Sequence, residues 1–446
     1  MSNQITAIVL GAGKGTRMKS PLPKVLNEVG GQPMIKYVLE AVQTLKPAQT
    51  VVVIGPGMPE IEAVVAPYET VVQTEQLGTA HAVLAARTQL ENAQGPILIL
   101  FGDTPLITQE TLAEMVTSFK TAEKTAVVVL SMEPHDMADY GRVVLGADGL
   151  VEKIVEFKEA TDAEKAIPLC NSGVMALHPD MALDLLDAIS NDNTKREYYL
   201  TDVVEIARKK GHAVSHVLAH EEEVLGVNTK MDLAYVESLL QDFWRYDMMA
   251  QGVTLQDPQT VYFSHDTKIA PGVRIDPSVY FSTGVRIEAG SHIKAFSHLK
   301  DAYVGKNCVV GPFARLRPGT HLEDNVGVGN FMEIKNSRLK KGVKANHLSY
   351  LGDAEIDEGT NIGAGTITCN YDGYRKHKTT IGKDVFIGSN SALVAPVAIG
   401  DGAIIGAGST VTQDVDPDEL VVARAFQKNM KEGAQRFRQK AAASKK

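Results

Sequence analysis

Cysteine, aromatic residues, positive charge and long apolar runs are all scarce in this chain. Three cysteines occur among 446 residues. Cys170, Cys308 and Cys369 stand far apart and form no Cys-x-x-Cys pair. That usage gives neither a disulfide framework nor a cysteine zinc site, and it fits a reducing cytoplasm. Aromatic residues make up 6% of the chain, so its cores are expected to be built from small aliphatics. No apolar run approaches the ~20 residues that span a bilayer, and no membrane insertion is expected. Met1 to Leu10 carries no basic stretch ahead of its apolar residues, so no signal peptide is read there. Lys and Arg number 45 against 54 Asp and Glu, a formal net charge of −9. This balance counts against nucleic-acid binding but not against anionic substrates, because a phosphate site is made by local donors.

What is present is organised in two different periods, and the length implies two or three domains. In the first half, Ile5 to Leu10, Thr50 to Ile54, Thr70 to Gln73, Ile97 to Phe101 and Thr125 to Leu130 read as strands. Pro33 to Leu45, Thr79 to Leu90 and Gln109 to Phe119 carry apolar residues at helical spacing between them. The alternation predicts a mostly parallel sheet covered on both faces, with ligands beyond the carboxyl ends of its strands. Asp232 to Met249 reads as one amphipathic connector helix with Leu233, Val236, Leu240, Phe243 and Trp244 on its apolar face. Expected domains are therefore residues 1–229, a linker helix over 230–250, and residues 251–446. The tail from Arg424 to Lys446 has eight Lys/Arg against one Glu and reads as a solvated, partly disordered end.

Past the connector, large apolar residues recur every six positions. Ile269, Ile275, Phe281, Ile287, Ile293 and Leu299 form one run, and Val304, Val310, Leu316, Leu322, Val328 and Ile334 form the next after a one-residue deletion. Ile381, Ile387, Leu393, Ile399, Ile405 and Val411 form a third. A period of six is no helix period. It is the mark of a parallel β-helix with three short strands per coil and one inward aliphatic per strand. Breaks near Arg338 to His347 and Cys369 to Thr380 are expected to be loops leaving the coil.

Two constellations carry chemistry. Leu10-Gly11-Ala12-Gly13-Lys14-Gly15-Thr16-Arg17-Met18 follows the first strand, where glycines bring backbone N–H groups to phosphate and Lys14 and Arg17 add charge. It is not a Walker A loop, and Thr16 stands where a dinucleotide fingerprint has Gly. Asp103, after Phe101-Gly102, is placed at the sheet's carboxyl edge, as a magnesium ligand or as a turn residue. In the coil, polar residues cluster around Arg317, Lys335, His347, Tyr350, Asn361, Asn370 and Tyr371. Transfer to an amine needs a base, and an imidazole near its ordinary pKa of ~6.5 serves near neutral pH. His347 is the candidate. On residues alone Tyr350 and Tyr371 read equally as packing groups.

The loop Leu10 to Met18, Leu22-Pro23-Lys24-Val25-Leu26, Gln73-Thr74-Glu75-Gln76-Leu77-Gly78-Thr79 and Gly102-Asp103 resemble the sugar-phosphate nucleotidyltransferases. With Ala345-Asn346-His347-Leu348-Ser349-Tyr350-Leu351-Gly352-Asp353, the chain resembles the bacterial bifunctional N-acetylglucosamine-1-phosphate uridyltransferases/glucosamine-1-phosphate acetyltransferases over residues 4 to 430. One departure from the family pattern is Gly11, where Ala is usual. The resemblance implies a Rossmann-like α/β nucleotidyltransferase domain followed by a left-handed parallel β-helix. It implies UTP and acetyl-CoA as co-substrates, Mg²⁺ as cofactor, a homotrimer, and a UDP-sugar product for peptidoglycan, lipopolysaccharide or teichoic acid. By residue, it implies that Leu10, Gly11, Ala12, Gly13, Lys14, Arg17 and Lys24 hold the nucleotide and that Gln73, Gly78 and Thr79 read uracil. Asp103 and Asn228 would hold the metal, and Gly141, Glu156 and Asn171 would contact the sugar. Arg317, Lys335, Tyr350 and Asn361 would bind glucosamine 1-phosphate. Ala364, Asn370, Tyr371, Ser389, Ala407 and Arg424 would line the acetyl-CoA groove, and His347 would be the base. The competing readings make the coil a structural module, as in glucose-1-phosphate adenylyltransferases, or a pure trimerisation scaffold. Neither requires the segment around His347.

Overall fold

The computed structural model describes residues 4–121, 125–137, 140–193 and 195–444. They divide into two compact units, Met1–Phe243 and Trp244–Lys446, and the division falls within the helix Lys230–Ala250.

In the first unit the sheet runs Ala213–Leu218, Thr125–Met132, Cys170–Leu177, Ile97–Phe101, Thr6–Leu10, Gln49–Ile54, Glu69–Val72. Side chains alternate across it with the two-residue strand period. Ile8, Leu10, Val51, Val53, Ile97 and Ile99 join one apolar core, while Ala7, Val9, Val52, Ile54, Leu98 and Leu100 join the other. Burial on both faces is what makes these strands continuous apolar runs. The sheet is mostly parallel, as expected, with one reversed strand inside it. Cys170–Leu177 runs antiparallel between Ile97–Phe101 and Thr125–Met132, and the hairpin Arg142–Leu145 with Val151–Val155 extends from it. Its first half, Asn171-Ser172-Gly173, is polar and only half-buried, so it carries no strand pattern in the sequence.

Helices differ from expectation in detail. Thr79 to Leu90 splits into Thr79–Leu84 and Arg87–Glu91, because the turn tightens where Ala86 N–H bonds the Val83 carbonyl at 3.0 Å. On the long helix Val236 and Leu240 are buried, but Phe243 is 64% exposed while Gln241 and Arg245 are buried.

The second unit is a parallel β-helix. Among the described residues its strands form one ten-stranded and two eight-stranded parallel sheets, and successive strands of the chain pass from one sheet to the next. Two-residue strands such as Arg274–Ile275 and Arg315–Leu316 point the first residue out and bury the second. The buried aliphatics stack into a single core from Val253 to Val415. Burying each of these side chains stabilises by roughly 1.5–3 kcal/mol. One expectation is overturned here. Arg338 to His347 does not leave the coil, since Arg338–Leu339 and Lys344–His347 are ordinary strands of it. The inward residue of the second strand is Ala345, too small to register in a count of large aliphatics. His347 therefore ends a strand. The segment beginning at Cys369 does leave, returning at Thr379–Ile381. In the tail, Gly433–Ala443 is a helix with no buried residue. Lys445 and Lys446 lie outside the described residues.

Candidate active sites

Leu10 pairs in register with Val53 on one side and Phe101 on the other, so three parallel strands end along one edge. The antiparallel strand enters at the same edge and brings Asn171 and Gly173 to it. Beyond that edge lies a cavity of about 420 Å³ lined by Leu10, Gly11, Ala12, Gly13, Lys24, Gln73, Gly78, Thr79, Asp103, Glu156 and Asn171. All eleven belong to the set marked out in the sequence. Lys14 and Arg17 are exposed and do not line it. Gly11 N–H donates to the Val53 carbonyl at 2.7 Å, so this N–H is held by the sheet and is not free for phosphate. A Cβ at Gly11 would meet only ordinary contacts of 3.4 Å and longer, which is room for the alanine usual in the family.

The segment Gln73 to Thr79 is strapped down from outside. Tyr198 N–H donates to the Leu77 carbonyl at 2.7 Å, Ala80 N–H to the Tyr198 carbonyl at 3.0 Å, and Leu200 N–H to Thr79 Oγ1 at 3.0 Å. Gly78 has φ 121°, and a Cβ there would lie 2.5 Å from the Tyr198 carbonyl oxygen. Gly78→Ala is expected to loosen this strap, raise the KM for nucleotide several-fold, and lower the stability of the first unit by about 1–3 kcal/mol. Steady-state kinetics and thermal unfolding of the variant check this.

Asp103 and Asn228 meet at one point. Val227 N–H donates to the Asp103 carbonyl at 3.0 Å, which sets Asn228 beside Asp103. The Lys24 ammonium donates to the Asp103 carboxylate and, at 2.7 Å, to Asn228 Oδ1, which also accepts from Arg17 at 2.8 Å. Two oxygens thus converge on one cation. Among the described residues there is no cluster of three or more His, Cys, Asp or Glu that could hold a metal by itself. A pair of oxygens beside a phosphate cavity suits Mg²⁺, which takes one or two protein oxygens and completes its shell with phosphates and water.

The far side of the cavity is built from the hairpin and the Asn171 loop. Burial raises the Glu156 pKa, and Thr201 Oγ1 donates to it at 3.5 Å. Gly141 does not line the cavity; its carbonyl accepts from Asn171 N–H at 2.8 Å and so backs that residue. Glu197, Tyr199 and Thr201 also line the cavity, and so does Gln76, which donates to the Ala12 carbonyl at 2.5 Å. Gln76 lies inside the motif that marked Gln73 and Gly78. Thr201 had no signal.

In the coil, His347 sits at the corner between two sheets and pairs in register with Asn330. Its Nδ1 lies 3.3 Å from Asn330 Oδ1. An amide oxygen only accepts, so this contact is a hydrogen bond in the tautomer with the hydrogen on Nδ1, and that tautomer leaves Nε2 available as a base. Ser349 Oγ donates to the His347 carbonyl at 2.9 Å and accepts from Thr366 N–H at 3.1 Å, which fixes the corner. Register places Ala364, Ser389 and Ala407 in one column continuing from His347, and the Arg424 side chain lies against Gly408.

The face that begins at His347 carries Glu333 and Tyr350 side by side and ends at Arg317 and Lys335. Arg317 donates to Glu333 at 2.7 Å, and the Tyr350 hydroxyl lies over Gly352. Lys376, from the excursion, pushes the Lys335 pKa down, with Arg317 adding to the effect. An anion among these three cations would relieve their repulsion. Asn370 donates to Asp353 at 2.5 Å and so stands with Tyr371 at the Lys335 end of the face. Asn361 lies on another sheet, next to Lys344 and Phe386. One chain therefore gathers Tyr350, Arg317 and Lys335 on a face with His347 at its corner, sets Asn361 beside Lys344 on the sheet that carries the His347 strand, and separates Asn370 and Tyr371 from the Ala364 column. Lys376 and Glu333 were not singled out from the sequence; a lysine within the expected excursion was the available signal.

A nucleotide cavity at the carboxyl edge of an α/β sheet, joined to a coil with a polar face, defines an NTP transferase linked to a hexapeptide-repeat transferase. A model of the MobA-like NTP transferase domain matches residues 7–197, and one of the bacterial transferase hexapeptide, six repeats, matches residues 378–413. The bifunctional protein GlmU of Paramagnetospirillum magneticum is 48% identical over 444 residues, 100% of this chain and 99% of that one. GlmU of Zymomonas mobilis is 46% identical over 98% of each chain, and that of a Ruegeria species is 49% identical over 95% of this chain and 94% of its own. The chain belongs to the bifunctional GlmU family. It is accordingly an enzyme of two activities, a uridyltransferase in its first half and an acetyltransferase in its left-handed coil.

Proposed function

We propose that the coil acetylates glucosamine 1-phosphate with acetyl-CoA and that the first unit then joins the product to UTP, releasing pyrophosphate and UDP-N-acetylglucosamine. The observation that carries the first step is the His347 imidazole at the head of a column of small residues, with three cations at the far end of its face. The sugar phosphate is held by Arg317, Lys335 and Lys376, with Tyr350 against the ring. The pantetheine arm lies along Ala364, Ser389 and Ala407, toward Arg424. The sugar nitrogen attacks the thioester carbonyl, the C–S bond breaks, and the nitrogen's surplus proton passes to His347 Nε2 and on to the departing thiolate. A mixture of glucosamine 1-phosphate and acetyl-CoA should therefore release free thiol with the purified chain; a chain that releases none rejects this reading.

In the first unit the phosphate oxygen of the sugar attacks the α-phosphorus of UTP while the bond to the β-phosphate breaks. That oxygen is already ionised, so no base is needed; the protein's task is to bring two anions into line. Lys24 neutralises the triphosphate, with Gln73, Gly78 and Thr79 around the base and Glu156 and Asn171 around the sugar. Asp103 and Asn228 would hold Mg²⁺, which when bound supplies charge to the phosphates.

A homotrimer completes the second site, bringing Asn361 and the Asn370–Tyr371 segment of neighbouring copies to each His347. The corner of the coil supports this. Phe296, Phe313, Phe331 and Leu348 stand there in the left-handed region, with φ of 60°, 55°, 55° and 48°, and all are exposed. The phenyl rings stack at 4.9 and 5.2 Å. Bulky side chains are costly in that conformation, and an exposed apolar ladder beside the site is accounted for by a second copy covering it. Phe313→Asp with Phe331→Asp, a residue type that tolerates positive φ, should shift the mass in light scattering from trimer toward monomer. Acetyl transfer should fall at least about tenfold and uridylyl transfer stay unchanged. No helix among the described residues is long and apolar enough to cross a membrane, and we place the enzyme in the cytoplasm, where its nucleotide substrates are.

A further inference from the structure

We propose that His81 is a positioning residue that decides which nucleobase the first cavity accepts. The proposal rests on reading that cavity as a UTP site with Gln73 against the base. Gln73 is 4% exposed and lines the cavity. A primary carboxamide fits a pocket in two orientations related by a half-turn, one presenting an acceptor and the other a pair of donors. Here the choice is fixed by its neighbours. Gln73 Nε2 lies 3.1 Å from the Gly78 carbonyl oxygen and 3.3 Å from His81 Nδ1. A backbone carbonyl can only accept, so the atom facing it is the NH₂ group. The second amide hydrogen then points at His81 Nδ1, which accepts it in the tautomer that carries the ring proton on Nε2.

Both amide hydrogens are thus committed to the protein, and Oε1 is what remains for a ligand. An oxygen at that position asks the base for a hydrogen. Uracil offers N3–H, whereas cytosine carries a lone pair on the same ring nitrogen. Turning the carboxamide over to suit cytosine would set its oxygen against the Gly78 carbonyl and would require the imidazole to shift its proton from Nε2 to Nδ1. Removing His81 leaves the Gly78 repulsion alone and frees one N–H.

The neighbours cannot drift to accommodate a flip. His81 stands on the helix Thr79–Leu84, whose preceding Gly78 is pinned under the Tyr198 backbone, and its ring lies 6.3 Å from the Tyr198 ring. Burial makes the unmet polar contact costly, which is how one imidazole acquires leverage over base choice.

The test compares kcat/KM for UTP and for CTP in the whole chain, His81→Leu and His81→Asn, with thermal unfolding of the first unit reporting that each variant is folded. The unaltered chain should prefer UTP. His81→Leu should lower the UTP-to-CTP ratio about tenfold, through a rise in KM for UTP and a fall in KM for CTP. His81→Asn, which can return an acceptor, should keep more of the ratio than the leucine variant. A leucine variant with an unchanged ratio, or one that loses both nucleotides equally, overturns the proposal. An unaltered chain that does not use UTP overturns instead the reading of the cavity on which the proposal rests.

Discussion

His347→Ala is expected to lower acetyl transfer by about 10²–10⁴-fold and to leave uridylyl transfer from N-acetylglucosamine 1-phosphate untouched. The size follows from the chemistry. At neutral pH the sugar amine must lose a proton to become a nucleophile and lose another after it attacks, and Nε2 of His347 is the nitrogen available as a base at the head of the small-residue column. The backbone is not expected to suffer. His347 is exposed, and the corner is held by its carbonyl and by Ser349, both of which survive in alanine. Neighbouring histidines offer no substitute, since His298 and His321 lie on other rows of the coil. Thiol release measured with Ellman-type titration, beside pyrophosphate release on the same preparation, reads both consequences. If the coil were only a trimerisation scaffold, the variant would transfer acetyl groups at the original rate.

Asp103→Ala should do the reverse, with uridylyl transfer reduced on the order of 10²–10³-fold and acetyl transfer unchanged. Asp103 supplies the formal negative charge in the contacts around Lys24, and its side chain and that of Lys24 are 18% and 13% exposed. Removing it takes away one of the two oxygens that converge on the cation position and leaves the ammonium bonded to Asn228 alone. Asp103→Asn keeps the shape and an oxygen but not the charge, so it should retain more activity than alanine if geometry contributes separately from charge. Equal loss in both variants assigns the effect to charge. Parallel loss of acetyl transfer in either would mean that the two units do not work independently.

Much of this architecture was legible because its periods are simple. Apolar runs of five residues marked the parallel strands, and a six-residue repeat marked the coil. Asp103 was placed at the sheet edge by counting from Phe101. Features that failed to show share a physical reason: the residue doing the structural work was not a large aliphatic. Asn171-Ser172-Gly173 forms strand because its neighbours supply the ladder, and Ala345 fills an inward position that a search for bulk passes over. Side-chain partners were less legible than elements. Nothing in the loop Leu10 to Gly13 tells that Gly11 N–H belongs to Val53, or that Lys24 reaches Asp103 and Asn228, 79 and 204 positions away. The separation of Asn361 from Tyr350 was in principle countable, since each hexad turns to the next face. The one-residue deletions at Leu339 and Ile356 have to be known first.

Two independent sites in one chain make a complementation experiment decisive. Asp103→Ala and His347→Ala are mixed in equal amounts with glucosamine 1-phosphate, acetyl-CoA, UTP and Mg²⁺, and UDP-N-acetylglucosamine is quantified. Each variant alone should yield almost none, and the mixture should form it steadily, because the acetylated sugar made by one diffuses to the other. A mixture as inactive as either variant by itself would contradict the account.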